Sequence, residues 1–227
     1  MRPVAKGNCP YEAIARYQEA RGYLIQCIGE YCSYCEMHLD AGLAVEHVQP
    51  KIKNPDKECE WENLLLGCPN CNSTKGDKEI DDNTIDDYLW PDIHNTLLAL
   101  TYSESGVVGI NPAVDPAIQA KAQKLISLVG LDKTPDNFPD YSDRRWLNRR
   151  NAWEEAKKSK IRLAQCDTEE MREQIAATAR HGYFSIWMTV FSDDIDMKKR
   201  IIKSYPGTAG NAFDAGCNPV PRTPQGI

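Results

Sequence analysis

The stretch YCSYCEMHLDAGLAVEHVQPKIKNPDKECEWENLLLGCPNCNSTKG, residues 31–76, carries the most informative pattern of the chain. Two Cys-x-x-Cys pairs bracket it, and the adjacent residues Glu46 and His47 lie between the pairs. Paired thiols at this spacing are typical of structural zinc sites, in which four ligands hold the ion in a tetrahedron. The spacing therefore predicts a zinc site formed by Cys32, Cys35, Cys68 and Cys71.

The polar residues between the two pairs indicate a second site. A neutral imidazole at His47 can accept a proton from water near pH 7. The carboxylate of Glu46 is a hard oxygen ligand of the kind that binds Mg²⁺ or Mn²⁺. Asn72 follows the last cysteine and offers an amide oxygen to the same ion. Asn63 precedes a predicted strand and is placed to hold the loop that carries His47.

Within this stretch the pattern favours the order strand, loop, strand, helix. Residues 43–49 favour a short strand that Pro50 ends, and the apolar run at residues 64–66 favours a second strand. Pro69 suits the first turn of a short helix, which ends at Gly76. Zinc would pin the base of the hairpin, because so small a motif has little apolar core of its own.

We divide the chain into three regions on the basis of periodicity and composition. Residues 1–110 contain the cysteine pairs, a predicted amphipathic helix at residues 10–30 and a predicted hairpin at residues 96–110. Residues 111–204 have a mostly helical pattern. Residues 205–227 are rich in Gly and Pro, which predicts a flexible tail that is available to a partner.

Charge and composition limit the partners. The chain of 227 residues has a net charge of −6. Most proteins that bind nucleic acid without a partner have a positive net charge or a basic surface patch. A partner or a local patch would then supply much of any affinity for nucleic acid. A basic stretch at residues 142–165 is either such a patch or a solvated helix face. The candidate phosphate contacts are Lys75, Arg144, Arg145, Arg149 and Arg150.

Hydropathy argues against a membrane protein. No apolar run approaches the about 20 residues that a transmembrane helix requires, and the N-terminal residues lack the apolar stretch of a signal peptide. We therefore expect a cytoplasmic protein that has no membrane partner.

Taken together, these motifs resemble the HNH endonucleases, which have a ββα-metal fold. The matching pieces are Cys32-x-x-Cys35, Glu46-His47-Val-Gln-Pro50, Trp61-Glu-Asn63-Leu-Leu and Cys68-x-x-Cys71-Asn72-x-x-Lys75. The resemblance implies that His47 is the general base and that Glu46 and Asn72 bind the catalytic metal. It also implies that Asn63 is an orienting residue. Glu46 stands where Asp is common and Asn72 where His is common, which leaves the metal preference open.

Longer pieces resemble the nuclease subunits of Septu anti-phage systems and of related retron systems. They include Met1-Arg-Pro-Val4, residues 65–76, and Tyr88-Leu-Trp-Pro-Asp92 with Asn95. The resemblance implies an ATPase partner of the PtuA type in a hetero-oligomeric complex. The residues from Tyr88 to Asn95 either line the core or lie near the active site.

We therefore expect an α+β protein with a small zinc-anchored ββα-metal HNH core, a mostly helical N-terminal segment and a helical C-terminal half. The expected activity is hydrolysis of phosphodiester bonds in DNA with structural Zn²⁺ and catalytic Mg²⁺ or Mn²⁺. Two alternatives stay open. One is a zinc-ribbon adaptor without catalysis, and the other is an HNH nuclease that cleaves RNA, because hydrolysis by water needs no 2′-hydroxyl.

Overall fold

Two separate two-stranded sheets and eight α-helices form the regular structure of residues 1–137, 142–222 and 227, which the computed structural model describes. In chain order the elements are α1 (Ala20–Ile28), β1 (Ala44–His47), β2 (Leu64–Gly67), α2 (Pro69–Lys75), α3 (Thr96–Ala99), β3 (Leu100–Tyr102), β4 (Val108–Ile110), α4 (Pro116–Val129), α5 (Arg145–Gln165), α6 (Glu169–Ala179), α7 (Phe184–Val190) and α8 (Ile195–Ser204). None of the described helices is long and apolar enough to cross a lipid bilayer.

The first hairpin and the helix after it form a ββα unit. Strands β1 and β2 pair antiparallel, with Glu46 opposite Leu65 and His47 opposite Leu64. Helix α2 begins with Pro69, whose missing N–H is not needed in a first turn. The Sγ atom of Cys68 accepts a hydrogen bond from the Cys71 N–H and thereby caps the same helix. This unit and the clustering of the four cysteines confirm the predicted α+β fold with a ββα core.

The buried apolar side chains form two cores. One core packs α1, β1, β2 and α4 around the cysteines, with Trp90 among its buried members. The other packs α5 to α8 around Phe184 and Tyr205. Tyr31 belongs to the second core although it directly precedes Cys32. The cysteine knuckle therefore joins the two cores.

The N-terminal helix is shorter than the sequence pattern suggests. Residues 10–16 are not helical, and a 3₁₀ turn at Tyr17–Glu19 precedes α1. Only Ile14 is buried among residues 10–16, so a helix there would lack the tertiary packing of a continuous apolar face. A short helix without such packing is marginal in water, which explains the late start.

The second hairpin also begins later than expected. Residues 96–110 were predicted as a hairpin, but Thr96–Ala99 form α3, and the strands pair only from Leu100 to Ile110. The side chain of Asn95 caps this short helix by accepting a hydrogen bond from the Leu97 N–H. The cap gives the Leu97 N–H a hydrogen-bond partner, which in a strand would have to come from a neighbouring strand.

The C-terminal segment is not a flexible tail in its described part. The Asn95 side chain donates to the carbonyls of Ala212 and Val220, at 2.7 and 2.8 Å. The Ala209 N–H donates to the Pro3 carbonyl, which ties the segment to the N-terminus. Composition gave no sign of this packing because the bonds join backbone groups and side chains that are far apart in the sequence. Residues 223–226 of the predicted tail lie outside the described residues, as do residues 138–141 of the helical region.

Candidate active site and metal centre

The four paired cysteines meet in one buried cluster. Their Sγ atoms all lie within 4.8 Å of one another, and Cys35 Sγ is 3.6 Å from Cys68 Sγ. Four thiolates about 2.3 Å from a tetrahedral Zn²⁺ are about 3.8 Å apart, which is close to this distance. Burial raises the pKa of the Cys71 thiol, so a nearby cation is needed to hold it as a thiolate. The cluster is therefore consistent with a structural zinc site.

Two buried arginines supply positive charge beside this cluster. Arg145 donates from Nη1 to Cys71 Sγ at 3.0 Å and to the Val129 carbonyl at 2.7 Å. Burial lowers the pKa of the Arg149 guanidinium, and the charge of Cys35 opposes that shift. A zinc ion with four thiolates carries a net charge of −2. With such an ion bound, the arginines would offset this charge in a region that water does not reach.

These contacts correct part of the predicted nucleic-acid surface. Lys75, Arg145 and Arg149 are each only 2% exposed, so their side chains do not reach phosphate. Their hydrogen bonds go to backbone carbonyls, to the cysteine cluster and, for Arg145, also to Asp143. Arg144 and Arg150 are exposed and stay candidate phosphate contacts.

We expect Arg145→Met to destabilise the fold by about 3–5 kcal/mol, because Asp143 and two carbonyls lose a buried cationic partner. Zinc should also dissociate more readily, since Cys71 loses its hydrogen bond. The exposed neighbour Arg144→Met is the matched control. Thermal melting with and without a chelator measures both effects, and equal melting of the two variants would contradict the assigned role.

His47 occupies the end of β1 with its imidazole largely buried. Its Nε2 atom lies 3.0 Å from the Glu58 carbonyl oxygen. A carbonyl oxygen only accepts, so Nε2 carries the proton and Nδ1 presents a lone pair. The ring also makes an edge contact with Tyr17, at 4.7 Å between centroids. Burial lowers the pKa of His47, which keeps the imidazole neutral near pH 7.

The Glu46 side chain lies against helix α2, which carries Asn72. A Cβ atom added at Gly67 would lie 3.1 Å from the Glu46 Cβ and 3.8 Å from the Asn72 Cβ, so both side chains flank the same glycine. The Lys75 ammonium is 2.8 Å from Glu46 Oε1. Burial raises the pKa of Glu46, and the charge of Lys75 opposes this shift. The first strand thus places Glu46 toward α2 and His47 toward the loop.

Asn63 holds the loop between the two strands. Its Oδ1 atom accepts from the Gln49 N–H at 2.7 Å. Its Nδ2 atom donates to the carbonyls of Gln49 and Lys57, each at 3.0 Å. This loop includes Glu58, whose carbonyl fixes the His47 ring. Asn63 therefore acts on His47 through the backbone and does not touch the imidazole.

The polar groups near Glu46 fit a divalent cation. Glu46 is 3% exposed, and its Oε1 atom forms an ion pair with Lys75 but has no aligned hydrogen bond. Asn72 is half-buried and offers a neutral amide oxygen beside the same glycine. One carboxylate and one amide oxygen, completed by water and substrate, match the hard ligands that Mg²⁺ and Mn²⁺ prefer.

The residues from Tyr88 to Asn95 connect the chain termini to this unit. Trp90 is buried in the first core, and the His94 Nδ1 atom accepts from the Trp90 N–H. Asp92 pairs with Lys6 at 2.9 Å, and Lys6 also donates to the Leu64 carbonyl of β2. These contacts support the core-lining interpretation, although Asp92 also shares a cavity with Asn63.

Sequence reasoning missed three features of the site. Tyr17 and the Glu58 carbonyl orient the His47 ring, and Lys75 contacts Glu46. No residue pattern marks a backbone carbonyl. The spacing of Lys75, three residues after Asn72, was a usable signal, since residues three apart lie on the same side of a helix.

Comparison with known proteins agrees with this geometry. Residues 32–78 match the HNH endonuclease family. The chain is 39% identical over 56 residues to the Septu protein PtuB of Bacillus thuringiensis. That similarity covers 23% of this chain and 22% of the length of the relative. The matched segment includes the four clustered cysteines, strands β1 and β2, and helix α2. The segment that holds the clustered cysteines and the ββα unit is therefore similar to the HNH endonucleases.

Proposed function

We propose that the protein is a metal-dependent endonuclease that hydrolyses phosphodiester bonds in DNA. The observation that carries this proposal is the arrangement at the end of β1. There the His47 imidazole is fixed through Nε2, and the preceding residue, Glu46, turns a buried carboxylate oxygen without an aligned hydrogen bond toward α2. Both residues lie within the segment that matches the HNH endonuclease family.

In the proposed reaction His47 is the general base. Its Nε2–H is held by the Glu58 carbonyl, so Nδ1 is the atom that takes a proton from the attacking water. Asn63 keeps this carbonyl in place by its hydrogen bonds to Gln49 and Lys57. The imidazole is therefore preorganised for proton transfer before substrate arrives.

Glu46 and Asn72 are the proposed ligands of a divalent cation. A bound Mg²⁺ or Mn²⁺ supplies electrostatic stabilisation of the negative charge that develops on the phosphate and the leaving oxygen. The zinc site takes no part in the chemistry. Its cysteines fix the turn before β1 and the start of α2, and hence the position of Asn72.

We further propose that this nuclease is one subunit of a Septu-type anti-phage complex with an ATPase resembling PtuA. The similarity to PtuB supports this assignment, and the net charge of −6 is consistent with a partner that supplies affinity for nucleic acid. We assign the nuclease core to residues 1–110. Exposed Arg144 and Arg150 are the candidate DNA contacts outside that core.

The proposal is tested by incubating the purified protein with supercoiled plasmid, linear duplex and single-stranded RNA in Mg²⁺ or Mn²⁺, with and without the ATPase. Cleavage of DNA that EDTA abolishes is expected. Cleavage of RNA alone would favour the RNA-directed alternative. An absence of cleavage in every mixture, together with a stable complex with the ATPase, would favour the zinc-ribbon adaptor.

We expect the cleavage rate to fall at acid pH, when His47 becomes protonated. The pKa of this fall should lie below the ordinary histidine value of about 6.5. Burial lowers the pKa of His47, so the neutral base persists to lower pH than in a solvated histidine. The rate should therefore be constant from pH 7 to 8 and fall as pH decreases through this lowered pKa. A rate profile at saturating Mg²⁺ measures it, and an acid limb centred above pH 7 would contradict the assignment.

A further inference from the structure

Lys75 is a buried lysine that touches two parts of the proposed site. It is the last residue of α2 and is 2% exposed, although lysine is almost never fully buried without a partner. Its Nζ atom lies 2.6 Å from the His47 carbonyl oxygen and 2.8 Å from Glu46 Oε1. One ammonium group therefore contacts the backbone of the proposed base and the side chain of the proposed metal ligand.

The contact with the His47 carbonyl joins helix α2 to the end of β1. The same helix carries Asn72, so Lys75 sets the distance between the strand and the helix on which the proposed ligands lie. A charged donor to a buried carbonyl is stronger than a neutral one. Loss of this bond would release the backbone on which the His47 ring depends.

The contact with Glu46 has an electrostatic consequence for metal binding. Glu46 is 3% exposed, and its only ion pair among the described residues is with Lys75. A divalent cation that binds this carboxylate has to approach the ammonium group to within a few ångströms. Repulsion between like charges is strong in such a buried place. Lys75 should therefore weaken metal binding while it improves the geometry of the site.

We propose that Lys75 is a positioning residue that neutralises Glu46 and fixes the end of β1. The catalytic cation then has to bind despite electrostatic repulsion from the Lys75 ammonium group. The inference rests on the proposed nuclease function, because it concerns the same Glu46. Its distinctive consequence is that removing the charge changes metal affinity and turnover in opposite directions.

The test compares wild type with Lys75→Met at pH 8, after both proteins have been loaded with zinc. Binding of Mn²⁺ without nucleic acid is followed by electron paramagnetic resonance of the free ion, and plasmid cleavage is measured at saturating Mn²⁺. We expect Lys75→Met to bind Mn²⁺ about tenfold more tightly. We expect it to turn over at least about tenfold more slowly. Lys78→Met removes an exposed lysine from the following loop and is the matched control.

Two further variants separate charge from structure. Lys75→Arg keeps the charge, so its Mn²⁺ affinity should stay within about threefold of wild type. Lys75→Gln is neutral but can still donate to the His47 carbonyl. It should bind Mn²⁺ tightly and lose less turnover than Lys75→Met. Weaker or unchanged Mn²⁺ affinity in both Lys75→Met and Lys75→Gln would overturn the proposal. Loss of zinc from all three Lys75 variants would also overturn it.

Glu46→Gln distinguishes failure of this inference from failure of the proposed function. Its Mn²⁺ affinity should fall, because the carboxylate is the proposed ligand. If Glu46→Gln binds Mn²⁺ as wild type does, then the proposed metal site is wrong and the inference falls with it. If Glu46→Gln loses Mn²⁺ and the neutral Lys75 variants do not gain it, only the role of Lys75 is overturned.

Discussion

Replacement of His47 by alanine should reduce plasmid cleavage by a factor of about 100 to 10,000 while the chain stays folded. The variant removes the Nδ1 lone pair that takes the proton from water. The structural loss is small, since the imidazole makes one hydrogen bond, to the Glu58 carbonyl, and one ring contact, with Tyr17. First-order cleavage rates in Mg²⁺ and in Mn²⁺ measure the effect.

The control for this variant is His181→Ala. His181 is exposed and lies beyond α6, in the helical half of the chain. This variant should cleave at the wild-type rate. Zinc content and melting temperature should match wild type in both variants. If His47→Ala loses zinc or solubility in proportion to its activity, His47 has a structural role and the assignment of the base is wrong.

Cys68→Ser should cause the largest loss of stability. Cys68 Sγ lies 3.6 Å from Cys35 Sγ and also accepts the Cys71 N–H that caps α2. A serine hydroxyl is a poor zinc ligand, so the variant should lose the ion. Structural zinc contributes about 10–16 kcal/mol of apparent binding free energy, more than the whole stability of most domains. The first apolar core should therefore unfold at room temperature.

Zinc content by mass spectrometry and thermal melting test this expectation. Cys166→Ser is the matched control, because Cys166 is an exposed free thiol outside the cluster. It should keep wild-type zinc and wild-type melting. A Cys68→Ser protein that retains both would show that the four cysteines pack as thiols and do not hold the fold through a metal.

The ββα unit was predictable because its determinants are local. The two Cys-x-x-Cys pairs, the apolar strand residues and Pro69 each act within a few residues, and the structure forms β1, β2 and α2 where the sequence pattern places them. The catalytic and metal-binding roles of Glu46, His47, Asn63 and Asn72 stay predictions. The structure adds the contacts through which they would act.

The buried charges were not predictable from the same pattern. Arg145 and Arg149 were predicted to be part of a basic helix face, but both are buried, and Arg145 donates to Cys71, far away in sequence. Net charge and helical periodicity do not reveal a distant partner of this kind. The same reason applies to the C-terminal segment, which Asn95 holds through two backbone carbonyls.

We propose above all that His47, together with a metal ion bound by Glu46 and Asn72, cleaves DNA. The most direct measurement is conversion of supercoiled plasmid by wild type and by His47→Ala, prepared in parallel, in Mg²⁺ or Mn²⁺, with and without the ATPase. We predict nicked or linear product with wild type, and none above background with the variant, in at least one of these mixtures. Equal product from the two proteins, or none from either in any mixture, would contradict the account.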